Sequence, residues 1–334
     1  MPGRGFLGPV LLVSITPIAL IFNIFGQAPY PRSLNISKPT SSLSIAVTPF
    51  TDESALRVKV NTNLVQIPVT VIDKTDQAVD HLGKDNFLLY ENGVQQTISH
   101  FETGESPISA CLVFDSSLSM ADKIHKSIEA ISEILDTAIG NDEYCLVRFS
   151  NLAELMVGMT DGTKRVANTL KYIHPGGFTA LLDAIYLSLG EVKHGHNTRK
   201  AIVLISDGGD NRSEHTANQI KQMVREADAQ VYSIGILAPD DQMFSPEEIN
   251  GPALMKSISH ESGGRLFRIH EISELPSAVT KINTALRHQY ILGYYPKDAR
   301  NDGQYRHITV KLDLPKGMPR VRAYWRTGYY SPSE

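Results

Sequence analysis

The chain has 334 residues and a formal net charge of −4, with 42% hydrophobic and 20% charged residues. At about 150 residues per domain that length is enough for two domains with full cores. The near-neutral balance leaves no broad electrostatic attraction to nucleic acid or anionic lipid, so bulk charge names no partner.

Arg4 precedes an uncharged stretch whose apolar core, Phe6 to Phe25, suits either a secretory signal or a single membrane anchor. Both readings export the chain, to the periplasm, the cell surface or the medium. Gly26-Gln27-Ala28 offers a small-x-small cleavage pattern, while Pro9 and Pro17 interrupt a helix and Pro29 would follow the cut. Residues 1–28 are therefore read as signal or anchor. Residues 29–55, rich in Pro, Ser and Thr without apolar period, read as a flexible linker.

From 56 to 104 short β-favouring runs follow one another: Val65 to Ile72, Phe87 to Tyr90 and Val94 to Phe101, with a hairpin turn at Glu91-Asn92-Gly93. From 105 to 289 strand-length apolar runs (Cys111 to Phe114, Ala201 to Ile205, Val231 to Ile236, Leu266 to Ile269) alternate with helical periods. Ile124, Ile128, Ile131 and Leu135 form one apolar helix stripe, and Leu275, Val279, Ile282 and Leu286 another. The two runs between Tyr144 and Met159 lie too close for a crossover helix, so the second is predicted antiparallel at a sheet edge. The fold class is α/β, a mixed and mostly parallel sheet with helices on both faces. From 290 to 334 the pattern is β again, and these strands are expected to complete the N-terminal module around the α/β domain.

Two cysteines, Cys111 and Cys145, sit in apolar strand runs. An oxidising compartment allows a disulfide, while a buried thiol acting as a small hydrophobe is the default for such positions.

The first core strand runs into Asp115-Ser116-Ser117-Leu118-Ser119. In an extended segment, positions two apart point the same way, which would turn Asp115, Ser117 and Ser119 toward one point. Ligands bind at the carboxyl ends of strands in open α/β sheets. Two further oxygens arise from loops at that end, Thr179 in Gly176-Gly177-Phe178-Thr179 and Asp207 in Ser206-Asp207-Gly208-Gly209. A hard divalent cation takes about six oxygen ligands. Two carboxylates match its charge without exceeding it, leaving room for an incoming carboxylate. Taken alone, Asp-x-Ser-x-Ser also suits a helix N-cap.

This set resembles the metal-ion-dependent adhesion site of von Willebrand factor type A domains, and all five positions follow in that family's order. The resemblance covers roughly Ser109 to His288. The flanking Phe87-x-x-x-Glu91-x-Gly93, Tyr290-x-Leu292-Gly293-Tyr294 and Gly328-Tyr329-Tyr330 are similar to those of exported bacterial proteins of this class. It implies a Rossmann-like sheet, Mg²⁺ or Mn²⁺ held by Asp115, Ser117, Ser119, Thr179 and Asp207, and a protein partner gripped through an acidic side chain. Phe178 between the glycines and Thr179, and Asp210 as a second carboxylate in the Asp207 loop, depart from the pattern.

Other candidates read as structure. His194 and His196 lie in a polar loop, and His260-Glu261 lacks the second histidine of a zinc helix because Gly264 stands there. Lys123, Lys126, Arg199 and Lys200 read as solvated edges. Trp325 and the tyrosines at 290, 294, 295, 329 and 330 read as packing of the C-terminal strands. An aspartyl-phosphate enzyme would want a carboxylate where Ser117 stands, and phosphate-loop, dinucleotide and hydrolase-elbow motifs are missing. The sequence thus points to an exported, non-enzymatic metal-dependent binding module, with an envelope-assembly component in which the metal is incidental as the alternative.

Overall fold

The computed structural model describes residues 64–237 and 246–333. The signal or anchor segment and the linker lie outside the described residues. Among the described residues no helix is long and apolar enough to cross a membrane.

The chain begins with β1 (Val65–Ile72), β2 (Phe87–Glu91), β3 (Val94–Gln96) and β4 (Ile98–Glu102). Asn92 and Gly93 both have positive φ, the backbone that a two-residue hairpin between β2 and β3 requires. The sequence reads 94–101 as one strand, but the chain changes sheets at Thr97. β3 pairs with β2, while β4 pairs with a strand almost two hundred residues later. A sandwich corner, rather than a break in apolar character, sets this boundary.

The α/β domain carries β5 (Ile108–Asp115), β6 (Glu143–Phe149), β7 (Ala153–Thr160), β8 (Arg199–Ser206), β9 (Gln230–Ile236) and β10 (Leu266–Ile269) in the order β10-β9-β8-β5-β6-β7. All pairings are parallel except β6 with β7, the antiparallel edge expected from the short connection. Every residue of β5 and β9 is buried, as a strand covered on both faces demands.

Its helices are α1 (Ile124–Asp136), α2 (Thr163–Leu170), α3 (Leu181–Glu191), α4 (Ala217–Glu226), α5 (Pro246–Glu261) and α6 (Leu275–Arg287). α1, α2 and α6 pack on the face presented by Ile108, Ala110, Leu112 and Phe114. α3, α4 and α5 cover the opposite face, beside Cys111 and Val113. Cys111 and Cys145 are directly paired across β5 and β6, with Cα atoms 4.5 Å apart, and form a disulfide. This corrects the default of two separate buried thiols. The crossover through α1 returns β6 in register beside β5, a pairing that strand character alone does not reveal.

β11 (Gln289–Tyr294), β12 (Tyr305–Leu312), β13 (Arg322–Trp325) and β14 (Gly328–Tyr330) return to the first four strands. Two four-stranded sheets result, β13-β1-β11-β4 and β14-β12-β2-β3. Between them lie Ile67, Val69, Leu89, Tyr290, Leu292 and Val310. The flanking motifs meet at Glu91, which is buried and accepts hydrogen bonds from Tyr294 (2.6 Å) and Tyr329 (2.8 Å). Burial, with the Glu91 carboxylate beside them, pushes both phenols up, Tyr329 to about 12. The Trp325 indole donates to the Ile308 carbonyl at 3.0 Å, so these aromatics hold the module together.

The amino-terminal end of the parallel strands is closed by buried charge. Asp142 accepts from the backbone amides of Ile108 and Ile139 (both 2.9 Å) and pairs with Arg287 at 2.6 Å. Arg199, expected at a solvated edge, is 3% exposed and donates to the carbonyls of Arg287, Gly104 and Gln289. Its place at the start of an interior strand puts it over the α6–β11 junction, whose carbonyls need donors.

Candidate metal-binding site

Asp115 ends β5, and its carboxyl is fully buried. One oxygen accepts from the Ser117 amide at 2.8 Å, the other from the Ser206 hydroxyl at 2.6 Å. Burial pushes this carboxyl up to about 7, and Asp207 nearby adds to the shift through like-charge repulsion. A fully buried acid beside a second acid is costly unless a cation joins them.

Ser117 sits where an N-cap would, yet its hydroxyl makes no capping bond. It lies 3.1 Å from the Ser119 hydroxyl instead. The N-cap alternative for Ser117 is thereby set aside.

Three backbone bonds gather the remaining loops around this turn. Leu118 donates to the Gly177 carbonyl (3.1 Å), Gly176 to the Ser116 carbonyl (2.8 Å) and Ala180 to the Ser150 carbonyl (2.8 Å). Thr179 is buried. Its amide donates to the Asn211 side chain at 2.9 Å, and its carbonyl accepts from the amides of Asn211 and Arg212. The Thr179 loop therefore sits against the loop that carries Asp207. Phe178 does not displace it, because the Phe178 amide is held by Asn151 at 2.9 Å while its ring faces solvent.

The Asp207 turn depends on Gly208, whose φ of +97° is strained for any residue with a side chain. Gly251 of α5 packs against the Gly208 carbonyl so closely that a Cβ there would overlap it. The structure thus brings Asp115, Ser117, Ser119, Thr179 and Asp207 to the carboxyl end of the central strands.

Asp210 has a different task from Asp207. It accepts from the amides of Leu181 (2.9 Å) and Leu182 (3.3 Å) and from the Ser213 hydroxyl (2.6 Å), capping the start of α3. Lys123, expected to be solvated, instead turns inward. Its ammonium lies 3.3 Å from the Asp207 carboxylate and 3.2 Å from the Ser119 carbonyl. The spacing from Ser119, one helical turn, was the available signal. Ser206 was also without an assigned role, although its hydroxyl links Asp115 to the Gly208 amide.

The discounted histidines stay apart from this site. His194 faces Glu191 and His196 faces Glu143, both at exposed positions. Glu261 makes a two-pronged pair with Arg225, joining α5 to α4. Among the described residues no group of three or more His, Cys, Asp or Glu is placed to hold a metal. The donor set just described differs in kind: two carboxylates and three hydroxyls, oxygen only, as suits a hard divalent ion.

The chain is similar to several known proteins. The profile of the von Willebrand factor type A domain matches residues 111–209. A protein of Borreliella burgdorferi is 26% identical over 148 residues, spanning 39% of this chain and 43% of its own length, so the chain matches less than half of that relative. An aerotolerance-related membrane protein from Bacteroides fragilis is 23% identical, with 54% of this chain and 98% of that one covered and a TM-score of 0.45. Proximal thread matrix protein 1 of the mussel byssus, solved with a zinc-occupied adhesion-site motif, is 16% identical over 57% of this chain and 49% of its own, with a TM-score of 0.48. A von Willebrand factor type A protein from Catenulispora acidiphila is 11% identical, covering 82% of this chain and 74% of that one at a TM-score of 0.46. The α/β part of the chain has a von Willebrand factor type A fold, the fold of protein-interaction modules.

Proposed function

We propose that this chain is an exported, non-enzymatic binding module that grips an acidic group of a protein partner through Mg²⁺ or Mn²⁺ held by Asp115, Ser117, Ser119, Thr179 and Asp207. The observation that carries this reading is the buried Asp115 carboxyl, pushed up to about 7 by burial and by Asp207, with the Ser117 and Ser119 hydroxyls 3.1 Å apart beside it. An oxygen-only cluster of two acids and three hydroxyls suits a hard cation. When bound, the ion supplies a Lewis-acidic contact for a carboxylate oxygen. Asp115 and Asp207 balance its charge, and the hydroxyls add donors without making the site too negative for an acidic partner.

The surroundings favour a protein as that partner. Leu118, Leu152 and Phe178 are each more than 60% exposed, on three loops joined by the hydrogen bonds described above. Clustered exposed apolar side chains mark interaction surfaces. Export is supported by the apolar run from Phe6 to Phe25 and by the disulfide, which persists in oxidising compartments.

Calorimetric titration of Mg²⁺ and Mn²⁺ into the purified chain tests the reading. Saturable binding by the parent and none by the Asp115→Ala, Asp207→Ala double variant is expected. Equal heats from both would remove the site and leave the β module as the place to seek contacts.

A further inference from the structure

We propose that Lys123 is a built-in competitor for the metal, an internal counter-cation that Mg²⁺ displaces on binding. The inference rests on the metal-site reading and adds a residue that sets the site's affinity. The Lys123 ammonium lies 3.3 Å from an Asp207 oxygen and 3.2 Å from the Ser119 carbonyl, so it touches two of the five residues assigned to the ion. Among the described residues no other lysine, arginine or histidine lies within salt-bridge distance of Asp115 or Asp207. Of the side chains described, Lys123 therefore supplies the positive charge closest to a carboxylate pair of which one member is wholly buried.

Its surroundings give that charge weight. The Lys123 side chain is 24% exposed and that of Asp207 12%, so solvent screens the pair only in part. The backbone at Lys123 is fixed, because its carbonyl accepts from both the amide and the hydroxyl of Ser127 in α1, each at 3.0 Å. The four-carbon stem remains free to rotate. The movement required is therefore a side-chain swing, with the helix staying in place.

Charge arithmetic fixes the direction. With both acids ionised, two carboxylates and one ammonium carry a net charge of −1; adding a divalent ion without moving the ammonium gives +1, and moving it to solvent gives zero. The ammonium and the ion repel each other at this spacing, so binding of one opposes binding of the other. Lys123 stabilises the metal-free loops and raises the ion concentration needed to fill the site.

The test is Mg²⁺ titration by calorimetry, with thermal unfolding in chelator, on the full chain and its Lys123→Met and Lys123→Arg variants. Lys123→Met is expected to bind Mg²⁺ at least about tenfold more tightly, a factor well within what a partly buried charge exerts at this distance. In chelator the same variant is expected to unfold at a lower temperature than the parent. Lys123→Arg keeps the charge and is expected to show no tightening. A lysine that only supports the fold would lower the unfolding temperature without tightening Mg²⁺. Unchanged or weaker Mg²⁺ binding by Lys123→Met, in a parent that does bind, overturns the proposal. No binding by parent or variant overturns the metal site itself, and this inference with it.

Discussion

The two ends of the central sheet each bury an aspartate, and the two are treated in opposite ways. Asp142, at the amino end, receives two backbone amides and the Arg287 guanidinium, so its charge is fully answered within the chain. Asp115, at the carboxyl end, receives one amide and one hydroxyl and faces another acid. A buried acid serving the fold carries its own cation. The candidate ligand Asp115 is left short of one.

The largest expected effect breaks the first half of that contrast. Asp142→Ala leaves Arg287 buried without its partner and should cost about 3–5 kcal/mol in denaturant unfolding. A loss below about 1 kcal/mol would mean that Asp142 is not a structural pin. Mg²⁺ probes the other half. At a hundred times its dissociation constant it should stabilise the parent by about 2.7 kcal/mol and leave the Asp115→Ala, Asp207→Ala variant unmoved.

A smaller effect follows from pH in chelator. Burial and Asp207 raise the Asp115 carboxyl from 3.8 to about 7, so between those values the folded chain holds a proton that the unfolded chain has released. Stability contributed by the neutral acid is complete below about pH 4 and declines as pH rises toward 7. Asp115→Asn should flatten this slope. The smallest effect belongs to Phe178→Ser, which should alter stability by no more than about 0.5 kcal/mol, because the ring is 62% exposed. A larger loss would make Phe178 part of the packing and weaken its assignment to a docking surface.

Much of this was legible in the sequence because the signals were local. The alternation of apolar runs and helical stripes gave the sheet and its helices, and the antiparallel edge followed from a connection too short for a helix. Asp115, Ser117, Ser119, Thr179 and Asp207 stood out because each lies at the end of a readable strand or the start of a readable helix. What escaped was decided by residues far apart in the chain. The sheet change at Thr97 depends on which side of β4 receives β11. Arg199 is buried because carbonyls of the α6–β11 junction lie above it. Asp210 and Asp207 share a loop and a residue type, and only the position of α3 separates a helix cap from a candidate ligand. Lys123 sits at the one spacing that offered a clue, but charge patterning gives no sign of which way a lysine turns.

The β module also has a consequence for the order in which the chain acquires structure. The Leu82 amide bonds to the Tyr290 hydroxyl across 208 residues, and β1 lies between β11 and β13, both from the far end of the chain. At synthesis rates of 5–20 residues per second, those partners emerge roughly 10–50 s after β1. The α/β domain, whose strands are complete before β11 appears, can form first. Until those partners emerge, the edges of β1 and β2 stay open to wrong partners.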